Sequence, residues 1–170
     1  MITPAQKVLI VSYYWPPAGG SGVQRWMYFA KYLKELGWEP IVITVKQQQA
    51  SYAARDESLM EEVSHIRVIR TLTSETLKWY SFLTTGSPQK GIPQGEVKRK
   101  SLLQKLAAYI RGNYFLPDAR KGWVPFAVKA VQKVLKKESI SHLITTGPPH
   151  STHLVGIQLK AEFNITSACN

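Results

Sequence analysis

Three glycines and an arginine in "SYYWPPAGGSGVQR", residues 12–25, have the spacing to hold an anion. Gly19, Gly20 and Gly22 carry no Cβ, so a ligand can approach the main chain closely. A helical run begins near Gly22. Its first amides lack intrahelical acceptors, and the positive end of its dipole points at the same spot. An anion there gains about 0.3–1 kcal/mol from the dipole, and up to ~2 when partly buried. Arg25, in the first turn, adds a planar fork of donors that suits phosphate or carboxylate. Together these residues read as a diphosphate or acidic-ligand site. The pattern is not a dinucleotide fingerprint, which needs a third glycine where Arg25 stands and an acid near positions 44–46. Nor is it a P-loop, which needs Gly-Lys-Ser/Thr. A tight strand-to-helix turn also accounts for the glycines, but it leaves Pro16, Pro17 and the neighbouring tyrosines unexplained.

A second candidate is Gly147-Pro148-Pro149-His150-Ser151. Ser151 suits a helix N-cap. His150, just before it, has the chemistry to hydrogen-bond a sugar hydroxyl or phosphate, or to relay a proton. An ordinary surface histidine fits equally. His65, His142 and His153 lie in strand or helix patterns and receive no role. A third stretch, "LPDARKGWVP", residues 116–125, favours structural readings: Asp118 paired with Arg120 or Lys121, and Trp123 anchoring the next helix in the core. No His, Asp or Glu spacing suggests a metal. The single cysteine, Cys169, supports neither a disulfide framework nor a cysteine zinc site.

These loops need elements to position them. "KVLIV" within residues 7–14 reads as a buried parallel strand, being continuously apolar. Residues 22–36 read as an amphipathic helix with Val23, Trp26, Met27, Ala30 and Leu33 on one side, closed by Gly37 as a left-handed cap. Residues 39–45 form a second strand, completing a β-α-β unit whose crossover should be right-handed. Further along, the pattern predicts a short helix over 57–63, a strand over 65–72 and a short helix over 74–84. A Gly/Pro-rich mobile loop is expected over 85–100 and an amphipathic helix over 101–113. A helix over 124–137 admits Pro125 in its first turn. A strand with its exit loop spans 141–150, and a helix spans 151–163. Alternating strands and helices predict an α/β, Rossmann-like parallel sheet flanked by helices. Ligands of such sheets sit beyond the carboxyl ends of the strands. Both unusual loops leave those ends, so both should meet at one edge, with Tyr14, His150 and Ser151 as cleft candidates.

At 170 residues and 44% hydrophobic composition, the chain suits one domain with a real core and excludes disorder throughout. No apolar run approaches the roughly 18–20 residues that cross a bilayer. The first residues lack a signal-peptide pattern, and a cytoplasmic location is expected. The net charge is +11, and residues 98–137 hold 11 Lys or Arg against one acid, Asp118. Such a surface attracts phosphates, an anionic membrane face or nucleic acid. A basic nucleic-acid-binding module is therefore an alternative reading, although no RNP motif, zinc finger or evident recognition helix supports specific nucleic-acid binding.

The stretch "SYYWPPAGGSGVQRWMYFAKYLKELGWEPIVIT" resembles the opening of the family-four (group 1) glycosyltransferases of GT-B fold, whose first strand leads into a "PPxxGGxGxxR" loop and a long helix. "LPDARKGWVPFAVKA" and "LITTGPPHSTHLVGIQLKAEFNI" look like later stretches of the same group. The resemblance implies two Rossmann-like domains facing a cleft. The amino-terminal one, covering residues 1–170, holds the acceptor. The carboxyl-terminal one holds the nucleotide-sugar, UDP- or GDP-linked. It implies retaining transfer without a cofactor or essential metal. Gly19, Gly20, Gly22 and Arg25 would lie near the donor diphosphate, with His150 and Ser151 along the same cleft edge. The group has a further strand and an aspartate-bearing loop after "EFNI", then the donor-binding domain. Here "TSACN" follows instead. The chain is expected to be an incomplete acceptor-side domain, inactive alone or a non-catalytic binding remnant. Residues 98–111 place Lys98, Arg99, Lys100, Lys105 and Arg111 beside Leu102, Leu106 and Ile110. This basic amphipathic stretch would serve peripheral attachment to the inner membrane face or simply pack on the sheet.

Overall fold

The computed structural model describes residues 5–50, 52, 54–74 and 116–169. Five parallel strands form one sheet: β1 (Lys7–Val11), β2 (Glu39–Val45), β3 (Arg67–Thr71), β4 (His142–Thr145) and β5 (Thr166–Cys169). Their order is β3-β2-β1-β4-β5. The register sets Val8 beside Pro40 and His142, and Val11 beside Ile43 and Thr145. The helices among the described residues are α1 (Ser21–Glu35), α2 (Leu59–Glu62), α3 (Val124–Leu135) and α4 (His153–Glu162). Short 3₁₀ turns, Lys121–Trp123 and His150–Thr152, lead into α3 and α4. The protein is thus an α/β, Rossmann-like fold with a wholly parallel sheet.

Alternate residues of the strands supply two cores. Leu9, Val11, Ile41, Ile43 and Leu143 pack with Val124, Ala127 and Val131 of α3 and Val155 and Leu159 of α4. Ile10 and Val42 pack on the other face with Trp26, Met27 and Ala30 of α1 and with Leu59. Continuous apolar strands are what a sheet covered on both faces requires. Each fully buried aliphatic side chain contributes about 1.5–3 kcal/mol. The direction of strand addition reverses at β1, and the helices change faces there. The gap between the carboxyl ends of β1 and β4 is therefore the switch point of the sheet.

The sequence pattern placed most elements correctly, with several differences. β1 stops at Val11 rather than at Tyr14: Ser12 N–H still reaches Ile43 O at 3.0 Å, but Ser12 Oγ donates to Tyr14 O at 2.9 Å as the chain turns into the following loop. The helix expected from 57 is the single turn α2. The last helix starts as a 3₁₀ turn, His150–Thr152, in which Thr152 N–H reaches Pro149 O at 3.2 Å. Residues 166–169 form β5, which the apolar pattern did not predict. Its pairing is supplied by the β4 ladder and by Thr166 N–H donating to Ser141 O at 2.8 Å, not by a hydrophobic run. α1 ends as expected: Gly37 has φ +84°, Gly37 N–H reaches Lys34 O, and Trp38 N–H reaches Leu33 O. That pair of bonds is the left-handed helix stop that favours glycine. Most of the helix expected over 74–84, the loop over 85–100 and the helix over 101–113 lie outside the described residues.

Candidate functional site

The two motif loops meet where the sheet topology puts a crevice. A cavity of about 360 Å³ is lined by Ser12, Tyr14, residues 18–23, Trp26, Tyr52, Ala54, Thr146, Gly147 and Pro148. One wall is the glycine loop and the first turn of α1. The opposite wall is the exit loop of β4. A cavity of about 300 Å³ at residues 135–140 and 163–165 lies at the other end of the sheet, away from both motifs.

Local bonds fix the glycine wall. Gly19 N–H donates to Ala54 O at 3.0 Å, and Asp56 N–H donates to Pro17 O at 2.8 Å. The loop is thereby laced to residues 54–56, with an antiparallel bridge between Ala18 and Arg55. Arg70 of β3 donates to Pro16 O at 2.8 Å from beneath, and burial pushes its pKa down from the usual guanidinium value. Gly20 caps α1 with φ +110° and ψ 159°, a conformation open essentially to glycine alone. Val23 and Gln24 both donate to Gly20 O. The amides of Ser21 and Gly22 have no such acceptor among the described residues, and no side chain caps the helix. Two donors and the positive end of a 15-residue helix therefore face the cavity.

The floor is a chain of buried hydroxyls. Thr146 Oγ1 donates to Ser12 Oγ at 3.1 Å, and Ser12 Oγ donates to Tyr14 O at 2.9 Å. Tyr14 stands edge-on to Tyr13, with centroids 5.0 Å apart, and is tilted toward Tyr52 at 6.3 Å. With Trp26, Val23 and Pro148, the Tyr14 and Tyr52 rings give the cavity an apolar wall. Among the described residues, no Asp, Glu, His, Lys or Arg lines it. The arrangement can bind an anion through main-chain donors and a ring against its aromatic side, but its lining offers no carboxylate or imidazole for general acid–base work.

The structure brings Gly19, Gly20, Gly22 and Tyr14 to the cavity and leaves the other three candidates outside its lining. Arg25 is exposed, with its guanidinium over the Trp26 ring at 5.8 Å. It is the fifth residue of α1, one turn beyond Ser21, and its side chain is not part of the cavity lining. His150 is exposed and also outside the lining. Ser151 is fully buried and committed elsewhere: its N–H and Oγ donate to the two Asp118 carboxylate oxygens at 2.6 and 2.9 Å. Ser151 is thus not an N-cap; Asp118 caps this turn from another loop. Asp118 also accepts Arg120 N–H at 2.8 Å, so its role is structural as expected, but its partners are backbone amides and Ser151 rather than the Arg120 or Lys121 side chain. Trp123 is the expected anchor: it is fully buried, edge-on to Tyr13 at 5.3 Å, and its Nε1 donates to Thr71 Oγ1 at 2.7 Å.

Sequence reasoning missed Ser12, Tyr52, Thr146 and His153. His153 Nδ1 lies 3.0 Å from Thr145 Oγ1, and its ring is 6.0 Å from that of His150. Burial, then the neighbouring His150, lowers its pKa. Ser12 and Thr146 could have been found as the first polar residues past "KVLIV" and "LIT"; Tyr52 gives no such signal. No group of three His, Cys, Asp or Glu among the described residues is placed to hold a metal. No helix among them is long and apolar enough to cross a membrane. Comparisons with protein-family models, with curated proteins and with solved structures found no match to this chain.

Proposed function

We propose that this chain is the acceptor-side part of a retaining glycosyltransferase, which moves a sugar from a nucleotide-sugar to a glycan or lipid-linked acceptor. The observation that carries the reading is the cavity at the β1/β4 switch point, where the glycine loop and the Gly147 loop converge. The amides of Ser21 and Gly22 would donate to a diphosphate oxygen, helped by the α1 dipole. Tyr14, Tyr52 and Trp26 would pack against a sugar ring, whose C–H faces are apolar. The buried hydroxyls of Ser12 and Thr146 would orient its polar edge. Among its described residues such a lining positions substrates through hydroxyls and main-chain donors and supplies no carboxylate or imidazole. The remaining chemistry falls to the substrates' own phosphates and to a donor-binding second domain across the cleft. The UDP- or GDP-linked donor and the acceptor are the partners this reading requires; it calls for no metal.

Amide NMR titration of the chain with UDP- and GDP-sugars, and with inorganic pyrophosphate, tests it. The expected result is weak binding with the largest shifts at Ser21 and Gly22, and no sugar transfer by the chain alone. The reading fails if those amides stay still with every nucleotide and pyrophosphate. It also fails if the isolated chain catalyses transfer, because the cavity lining would then not be the acceptor half of a divided site.

A further inference from the structure

α1 buries one face in the sheet and leaves an unusual row on the other. Tyr28 and Phe29 are each 40% exposed, Tyr32 57% and Leu36 76%. These are four of the seven exposed large hydrophobic residues among those described; Leu72, Leu116 and Ile157 stand singly elsewhere. Isolated exposed apolar residues are ordinary, whereas a contiguous row marks a contact surface. Positions 25, 28, 29, 32 and 36 follow the helical repeat, so they form one ridge about 16 Å long at 1.5 Å per residue. The ridge is internally ordered. Tyr28 and Tyr32 stack at 6.3 Å with an interplanar angle of 26°, and Phe29 meets Trp26 edge-on at 5.2 Å.

Cations flank the row. Arg25 lies over Trp26, and the Lys31 ammonium lies 5.9 Å from the Tyr28 centroid while also pairing with Glu62 at 2.6 Å. α1 carries Arg25, Lys31 and Lys34 against Glu35 alone. Tyrosine and phenylalanine beside lysine and arginine is the composition of a helix that lies in a membrane interface, rings at the headgroup level and cations toward anionic lipid.

We infer that the outer face of α1, Arg25 to Leu36, docks the protein on an anionic lipid surface. Charge chooses this occupant over a second copy of the chain. A net charge of +11 repels another copy and is attracted to an anionic leaflet. The convex shape agrees: a single helix ridge fits a deformable interface without a matching groove. Ser21, Gly22 and Val23 of the same helix line the cavity, so docking along α1 holds the cavity mouth beside the lipid headgroups. This inference does not depend on sugar transfer, and either can fail without the other.

Flotation of the 170-residue protein with vesicles of phosphatidylcholine, with and without phosphatidylglycerol, is the test. Binding is expected to the anionic vesicles only, and to weaken as salt rises. The triple variant Tyr28→Ser, Phe29→Ser, Tyr32→Ser should lose about tenfold or more in partitioning, because three rings no longer leave water. Ile157→Ser, at an exposed apolar residue on α4, should bind like the parent chain. Equal binding to both vesicle types, or unchanged binding by a folded triple variant, overturns the inference. So does sedimentation equilibrium showing a dimer that the triple variant abolishes. Should the triple variant not fold, the parent chain with nitroxide-headgroup lipid decides. Amide signals of residues 25–36 should broaden first; first broadening in residues 98–111, or none, overturns it.

Discussion

The two ends of the sheet solve the same problem in opposite ways. At the amino end, charges find partners within the chain. Lys7 opens β1 and bonds Glu138 at 2.7 Å, Arg67 opens β3 and bonds Glu138 at 2.8 Å, and Glu39 opens β2 at 3.7 Å from Lys7. At the carboxyl end the described residues give the cavity no charged side chain, yet the first two amides of α1 lie at it without acceptors among those residues, and glycine keeps the main chain bare. One rim is closed electrostatically; the other keeps donor capacity unspent. The difference teaches which edge is built for a ligand, and it does so more clearly than cavity volume, since the amino rim also has a depression of similar size.

The largest effect that would break this contrast belongs to Asp118. Its carboxylate holds three donors, and the two from Ser151 are buried. Asp118→Ala strands them, which costs about 2–4 kcal/mol by the usual scale for buried donors and charged hydrogen bonds. Urea denaturation should show this loss, and a clearly smaller one for Glu138→Gln, whose ion pairs are partly solvated. Equal losses would mean that the carboxyl rim is no more dependent on internal support than the amino rim.

Gly20 comes next. Alanine there must adopt φ near +110°, which costs about 1–3 kcal/mol. Gly19→Ala is the control: its Cβ would sit 3.5 Å from Ala54 Cβ, an ordinary contact. A thermal melt in which both variants behave alike would show that the loop readjusts, and that the bare main chain at Gly20 is not dictated by the backbone.

These two cases also show what was legible in the sequence. Gly20 and Gly37 could be read because glycine marks a local backbone need, and local needs are written in neighbouring residues. The parallel sheet could be read from "KVLIV" and "EPIVITV" for the same reason. The Asp118–Ser151 link spans 33 residues and joins two loops, so nothing near either residue announces it. β5 escaped because "TSAC" is held by its neighbour's ladder rather than by its own apolarity. Arg25 suits an anion by residue type, yet its guanidinium lies over the Trp26 ring and outside the cavity lining, a placement that depends on that neighbour rather than on residue type. His153 was passed over because its meaning depends on Thr145, on another element.

Acid separates the two rims in a graded way. His153 is held below its ordinary value near 6.5, first by burial and then by His150. The unfolded chain therefore takes up that proton more readily than the folded one. Stability is full above pH 6.5 and falls as pH drops through the window between 6.5 and the lower folded value. Glu138 is held below its ordinary value near 4.5, chiefly by the Lys7 hydrogen bond and next by Arg67. Its contribution is full above 4.5 and is lost only as pH falls further, toward its lowered folded value. Urea midpoints measured across pH should show two acid-sensitive ranges. His153→Gln should flatten the upper and Glu138→Gln the lower. A single transition that neither variant alters would remove this sharpening of the comparison.

The smallest effect on stability carries the most information about the cavity. Gly22 sits in the first turn of α1, and a Cβ added there meets nothing within 4 Å. Its backbone does not require glycine, since the positive φ values belong to Gly20 and Gly37. Alanine should therefore leave the fold unchanged or stabilise it by about 0.5–1 kcal/mol, the ordinary helical gain over glycine. If the amide of Gly22 meets a diphosphate closely, the added methyl stands where the ligand must come, and pyrophosphate or nucleotide shifts at Ser21 should weaken several-fold. Arg25→Ala, outside the lining, should weaken them less. A Gly22→Ala protein that melts higher and binds worse would separate the glycine's role at the cavity from its role in the helix. One that melts higher and binds unchanged would show that the missing side chain serves no ligand, and the carboxyl rim would lose its claim to be different in kind from the amino rim.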